Sequence, residues 1–338
     1  MYNDRKNANS GGEDMQIVCE SPLQEAHLQA WQALLQENGL IPEQLPEVAV
    51  LVFDGDVLVA TGSRQENLLK YIAVSPARQG EDLTATVLTA LRQNAFACGY
   101  DHLFLYTKPK NEYLFSSLFF YPIAKTRDVL LMENRPNGIG AFLDTLPVGV
   151  CKDAGAVVMN CNPFTKGHRY LIETAATQCD HLYVFVLSED KSAFSAADRL
   201  MLVKEGTKDL PNVTVLPTGP YLISSVTFPT YFLKERENIP QVQCLLDIAI
   251  FTRYYAPRFG ITRRFVGTEP FCPVTAAYNR TLAQVLPEAG IALCELPRLE
   301  QDGVAVSASE VRRLWKAGDW EALRTLVPET TFAYLKRR

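Results

Sequence analysis

The residues Asn162-Pro163-Phe164-Thr165-Lys166-Gly167-His168 follow the apolar run Gly155-Ala156-Val157-Val158-Met159. That run reads as a buried strand, Asn160 to Lys166 as a loop, and the chain from Gly167 on as a helix. A helix start presents unpaired N–H groups and a positive dipole end. In an open parallel sheet it stands at the carboxyl end of a strand, where such sheets take their ligands. An ATP triphosphate fits that place. Gly167 lets backbone approach a phosphate closely, and Thr165 offers a hydroxyl. His168 can donate a hydrogen bond to oxygens that gain charge as pyrophosphate leaves. We take His168 and Thr165 as the catalytic candidates. Asn162, Phe164, Lys166 and Gly167 of the same loop are grouped with the nucleotide-binding residues. The plainer alternative is a histidine that only closes the first turn of its helix.

A second segment, Val306-Ser307-Ala308-Ser309-Glu310-Val311-Arg312-Arg313, also leads into a helix. Ser307 and Ser309 are good helix caps, and an arginine on the first turns is often merely solvated. In the functional reading the hydroxyls and N–H groups hold the β- and γ-phosphates while Arg312 neutralises the leaving pyrophosphate. Two phosphate-binding helix starts in one domain would converge on one triphosphate. Lower in rank stand Arg199, which could reach the phosphates from a mobile loop, and Gly267, Thr268 and Glu269, which follow a strand and could line the adenine or ribose. Lys166 and Arg169 could add positive charge, and Ser224 and Ser225 could touch a substrate.

These residues need a scaffold. From Gly155 the pattern runs strand, helix, strand (His181–Leu187), helix (Ala196–Asp209), strand (Val213–Leu216). That is the βαβαβ rhythm of a doubly wound, Rossmann-like parallel sheet. Further strands are expected at Arg264–Gly267 and Ile291–Leu296, and further helices at Val274–Leu286, Ser309–Ala317 and Trp320–Leu326. The first half differs. A helix over Glu25–Glu37 precedes a hairpin, Val48–Phe53 and Val57–Thr61 around Asp54-Gly55-Asp56, then a strand Tyr71–Val74, a helix Leu83–Cys98 and a strand His102–Thr107. Turn formers from Asn134 to Gly138, with Pro147 and Gly149, mark a boundary. The expected organisation is a disordered segment over 1–14, a mixed α/β domain over 15–135, a linker over 136–152 and the catalytic domain over 153–338.

The 338 residues, nearly half of them apolar, suffice for two cores. A net charge of −5 argues against a protein that holds nucleic acid by phosphate neutralisation. The eight cysteines form no C-x-x-C pair and read as reduced thiols rather than metal ligands, so no metal residues are assigned. Residues 1–14 look like neither a signal peptide nor an anchor, and no run is long and apolar enough to span a bilayer, so the expected residence is cytoplasmic.

Thr165-Lys166-Gly167-His168 with Val306–Arg312 resembles the paired signature of the nucleotidylyltransferase superfamily. Within it, longer strings are similar to the citrate lyase ligase family: Met159 to Glu173, Tyr221-Leu222-Ile223-Ser224-Ser225, and Gly267-Thr268-Glu269-Pro270 with Tyr278-Asn279. The resemblance runs along most of the chain. It implies an AMP-forming ligase that uses ATP with Mg2+, activates acetate as acetyl-adenylate, and acetylates the thiol of the coenzyme-A-like prosthetic group on the acyl carrier subunit of citrate lyase. The order of elements in the first half resembles the GNAT acetyltransferase fold. Its pyrophosphate loop departs from that pattern: started at Gln79, it puts Asp82 and Thr84 where glycine or alanine is expected. A carboxylate there repels a diphosphate, so this domain is read as a binder of the carrier arm or a structural partner. Two other functions stay open: an adenylyltransferase making a dinucleotide-like cofactor, and a non-catalytic nucleotide- or carrier-binding module.

Overall fold

The computed structural model describes residues 6–7, 15–149, 151–190, 192–222, 239–269, 273–301 and 303–338, with backbone alone at 6–7, 239–240 and 273–274. Ser224, Ser225, Pro270 and most of the segment expected to be disordered lie outside the described residues. The chain divides into two compact units, one up to Gly138 and the other built from Ile139 onward.

In the first unit the elements are β1 (Lys6–Asn7), β2 (Met15–Glu20), α1 (Glu25–Glu37), β3 (Val48–Asp54), β4 (Val57–Gln65) and β5 (Leu68–Val74). They continue through α2 (Leu83–Ala97), β6 (Phe104–Thr107), α3 (Glu112–Ser117), β7 (Tyr121–Lys125) and β8 (Leu130–Glu133). One sheet holds all eight strands in the order β1-β2-β3-β4-β5-β6-β8-β7. Nearly every residue of β3 is buried, as in a strand covered on both faces. Trp31 of α1 stands edge-on to Tyr71. Gly62 of β4 leaves room for α2: a Cβ there would meet Val87 at 2.4 Å. Strands β5 and β6 are parallel but pair at Leu68–Leu69 with Phe104–Leu105 alone. Beyond that they part, and a cleft of about 480 Å3 opens between Ile72–Val74, the 78–82 loop with the start of α2, and Tyr106–Lys108. A sheet that opens between two parallel strands beside a helix start is the GNAT-like arrangement expected. Arg78, beside that cleft, is engaged by Asp54 and Glu81.

The helix α4 (Gly138–Asp144) lies within the stretch 136–152, where glycine and proline obscure it in the sequence. The second unit continues with β9 (Ala154–Met159), α5 (Lys166–Ala176), β10 (His181–Val186), α6 (Ala196–Gly206), β11 (Val213–Pro217), α7 (Ile239–Ile250), a π-helical turn (Phe251–Tyr255) and α8 (Ala256–Phe259). After these come β12 (Ile261–Gly267), α9 (Pro273–Val285), β13 (Ala292–Leu296), β14 (Glu300–Gln301), β15 (Val304–Ala305), α10 (Ala308–Ala317), α11 (Trp320–Leu326) and α12 (Glu329–Arg337). Five strands form a wholly parallel sheet in the order β11-β10-β9-β12-β13. The order reverses between β9 and β12, and this switch point is where an open α/β sheet forms its crevice.

One face of that sheet is covered by α5 and α6, whose Ile172, Ala175, Leu202 and Val203 pack with Val157, Val184 and Phe265. Against the other face lie Tyr255 and Phe259, in contact with Phe185. Gly155 of β9 is required for the close approach of β12, since a Cβ would stand 2.6 Å from the Phe265 ring. Helices α10 to α12 gather a smaller core around Phe194 with Val311, Leu323 and Phe332. No described helix is long and apolar enough to cross a membrane.

Candidate active site

Strand β9 is apolar and ends at Met159, after which the chain turns through Cys161 at φ +53° and enters α5 at Thr165. Thr165 is 1% exposed and caps that helix. Its hydroxyl accepts from the His168 N–H at 3.2 Å, and its own N–H donates to His168 Nδ1 at 3.0 Å. This reciprocal capping satisfies two N–H groups of the first turn. It also fixes the imidazole: with Nδ1 accepting, the neutral ring carries its proton on Nε2. Burial, aided by the nearby Arg298 guanidinium, lowers the His168 pKa to about 4. The ring is therefore a neutral N–H donor at physiological pH.

The second helix start faces the first. A Cβ on Gly167 would lie 3.1 Å from the Val306 carbonyl oxygen. Ser307 caps α10 by accepting from the Glu310 N–H at 3.2 Å. Arg312 donates to the Asn162 carbonyl and, at 3.1 Å, to the Ser309 hydroxyl. Thr165, Gly167, His168, Ser307 and Ser309 all line one cleft of about 910 Å3, which Gly267 and Glu269 also border. The cleft opens at the switch point between β9 and β12.

Other candidates lie elsewhere. Phe164 is fully buried against Gly206, which could not carry a Cβ without meeting its ring at 2.4 Å. Asn162 points its Oδ1 at the Phe194 N–H, so it ties loop to loop. Lys166 donates to the Arg324 carbonyl at 3.2 Å, on a different surface. Arg169 is held by Asp209, Glu173 and the Gly206 carbonyl. Arg199 is 0% exposed, and its guanidinium donates to the carbonyls of Phe194, Asn160, Leu187 and Glu189. It holds the 187–194 loop from beneath and does not line the cleft. Thr268 contributes backbone: its N–H donates to the Leu296 carbonyl and its carbonyl accepts from Arg298.

Sequence reasoning missed four side chains of the cleft wall. Arg298 pairs with Glu269, which is 5% exposed in its side chain. Asp247 accepts from the Tyr278 hydroxyl, and Arg264 is buried nearby at 2% exposure. Asn279, within the recognised Tyr278-Asn279 pair, donates to the Gly267 carbonyl at 3.0 Å and so holds the end of β12. The seven described cysteines are free thiols.

A citrate (pro-3S)-lyase ligase of Klebsiella pneumoniae is 40% identical over 328 residues, which is 95% of each chain. That of Escherichia coli (strain K12) is 41% identical over 310 residues, covering 89% of this chain and 88% of the relative. Among solved structures, Thermotoga maritima TmcAL bound with alpha-thio ATP is similar over 55% of both chains at 14% identity and a TM-score of 0.37. A putative N-acetyltransferase from Lactobacillus plantarum matches 35% of this chain and 96% of its own, at 15% identity and a TM-score of 0.31. At those scores the two structures add nothing to the topology above. The family model for the citrate lyase ligase C-terminal domain matches residues 154–335, more than half of the sequence. With that match, and with relatives this similar along nearly its whole length, the chain belongs to the citrate lyase ligase family.

Proposed function

We propose that this chain is an AMP-forming acid–thiol ligase that activates acetate with ATP and passes the acetyl group to the thiol of the coenzyme-A-like arm on the citrate lyase acyl carrier subunit. The observation that carries this reading is the meeting of two helix starts, at Thr165–His168 and Ser307–Ser309, on one cleft. Unpaired N–H groups and hydroxyls from both would receive a triphosphate.

An acetate oxygen attacks the α-phosphorus of ATP, a P–O bond forms, and the bond to the bridging oxygen breaks as pyrophosphate leaves with its electron pair. His168 Nε2–H, held in its tautomer by Thr165, donates to oxygens that gain charge in that step. Arg312, fixed between Asn162 and Ser309, orders the second helix start and adds positive charge behind it. The carrier thiolate then attacks the acetyl carbonyl, a C–S bond forms, and AMP departs with the C–O electron pair.

Magnesium suits this reading as a companion of the nucleotide. Among the described residues no group of three His, Cys, Asp or Glu side chains is gathered to cage a metal. The cleft instead offers the hydroxyls of Thr165, Ser307 and Ser309, a donor set for phosphate oxygens, so the ion's ligands would be phosphate and water. The first unit's cleft, which carries Arg78, Lys108 and Lys110 beside Glu81 and Asp82 on its wall, would receive the carrier arm. A reaction that consumes ATP and acylates a free carrier thiol suits a cytoplasmic setting.

The test is acetate-dependent exchange of labelled pyrophosphate into ATP, followed by reactivation of deacetylated citrate lyase. A dinucleotide-forming adenylyltransferase would exchange pyrophosphate with a phosphate-bearing acceptor and ignore acetate. A binding module would retain ATP and release no pyrophosphate at all. Either result would overturn the proposal.

A further inference from the structure

The cleft contains a cation that the phosphate-binding helix starts do not use. Arg264 lies in the middle of β12, and alternation along the strand sends it to the side opposite Phe265, which packs toward α5. It is 2% exposed and lines the cleft. Among the described residues its Nε has no hydrogen-bond acceptor, and no carboxylate forms an ion pair with it. Its guanidinium carbon stands 4.3 Å from the centre of the Phe251 ring, which the π-helical turn after α7 presents. The neighbouring Arg263 shows the contrast: it faces outward and is paired with Asp153 and the Gln178 carbonyl.

A buried guanidinium with empty donors is unfavourable unless something completes its hydrogen bonds. A ring face offsets part of that cost and supplies no acceptor. The cleft that Arg264 lines also carries Gln243, Cys244, Asp247, Thr275 and Tyr278, and the Arg264 charge acts on Cys244 and Tyr278. Asp247 carries the opposing charge, and its carboxylate accepts from the Tyr278 hydroxyl. The wall therefore holds one unengaged fork of donors beside a carboxylate already in use.

We infer that Arg264 is the carboxylate-binding residue of this cleft, forming the subsite that takes the small acid before its activation. The inference rests on the ligase reading above and adds which side chain selects the acid. A planar carboxylate accepts two parallel N–H bonds from a guanidinium. Each oxygen held in this way keeps a second lone pair, and with it one of them can attack the α-phosphorus. Phe251, stacked on the guanidinium, holds the plane of the fork and so the orientation in which a carboxylate is received. The charge of Asp247 repels any anion that Arg264 does not grip, which sharpens the preference for this one geometry.

The experiment measures acetate-dependent pyrophosphate exchange in the wild-type protein and in Arg264→Gln and Arg264→Lys, with ATP binding measured alongside. The expected result is a KM for acetate raised roughly 10- to 100-fold in Arg264→Gln, the range for losing hydrogen bonds to a charged group. The KM for ATP should stay within about twofold, because Arg264 is not placed on the triphosphate. Arg264→Lys keeps the charge and is the deciding arm if the Gln variant does not fold. It too should raise the acetate KM, since an ammonium cannot form the fork. An unchanged acetate KM in a variant that binds ATP normally would overturn the subsite and leave the ligase reading intact. No acetate-dependent exchange in the wild type would remove the ligase reading, and the subsite with it.

Discussion

The Cβ that Gly167 lacks would stand 3.1 Å from the carbonyl oxygen of Val306, so the first turn of α5 is packed against the backbone that leads into α10. The sequence alone assigns this glycine to close approach of a phosphate. The structure gives the close approach a different partner, the backbone of Val306 ahead of α10. Gly167→Ala gains up to ~1 kcal/mol of helix propensity, while the new methyl group requires the Val306 backbone to give by a few tenths of an ångström. The two effects should nearly cancel in stability. They should not cancel in catalysis, because the two helix starts are displaced from each other. We expect a urea midpoint close to wild type and kcat/KM for ATP lower by roughly 10-fold or more. A fully active variant would show that the spacing of the two segments is not critical.

His168 should behave as a neutral donor. Its pKa, lowered to about 4 by burial and by Arg298, leaves the ring uncharged through pH 5 to 8. The unfolded chain takes up a proton near the ordinary histidine value of about 6.5. Stability linked to this group is therefore fully present above that pH and is lost as pH falls from there toward 4. NMR titration of the four histidines should show one that does not titrate above pH 5 and that disappears in His168→Gln. The same variant should lose roughly 100- to 1000-fold in kcat, the range for removing one donor to a charged transition state. A His168 that titrates near 6.5 would contradict the burial and the Arg298 charge that hold the ring neutral.

Arg312 joins the two motifs by donating to Asn162 and Ser309 at once. A lysine keeps the charge and cannot reach both acceptors with a planar fork. Arg312→Lys should lower kcat by roughly 10-fold or more while costing less than ~1 kcal/mol in stability, since the site is partly exposed. Steady-state rates and chemical denaturation on one preparation separate the two effects.

Much of this site was legible because β9 and α5 announce themselves locally. An unbroken apolar run, a threonine cap and a histidine at the third helical position need no distant information. Ser307 and α10 are legible for the same reason. The cleft's other wall is not. Arg298 and Glu269 are separated by 29 residues and meet only because β12 and β13 run side by side. Asp247 and Tyr278 sit on two helices whose facing sides no local spacing reveals. Arg264 left one signal: two adjacent arginines in a strand point to opposite sides of the sheet, so one of them faces away from the side that Arg263 takes. In the first unit β7 and β8 escape notice because Pro122 interrupts one and the other is four residues long.

Arg199 is where sequence and structure assign different work to the same residue. As a helix arginine near a loop, it reads as a phosphate ligand. In the fold it is buried, and its donors fall on the carbonyls of Asn160, Leu187, Glu189 and Phe194. These carbonyls belong to the ends of β9 and β10 and to the loop that borders the cleft at Glu189 and Ser192. A ligand of ATP, once removed, raises the KM for ATP and leaves the free protein stable. A buried staple, once removed, leaves several carbonyls without donors, each costing ~1–3 kcal/mol. Arg199→Met retains most of the volume and none of the donors. We expect it to lower unfolding stability by roughly 3 kcal/mol or more, with the loss equally large in the absence of ATP. A stable variant whose sole defect is a raised KM for ATP would restore Arg199 to the phosphates.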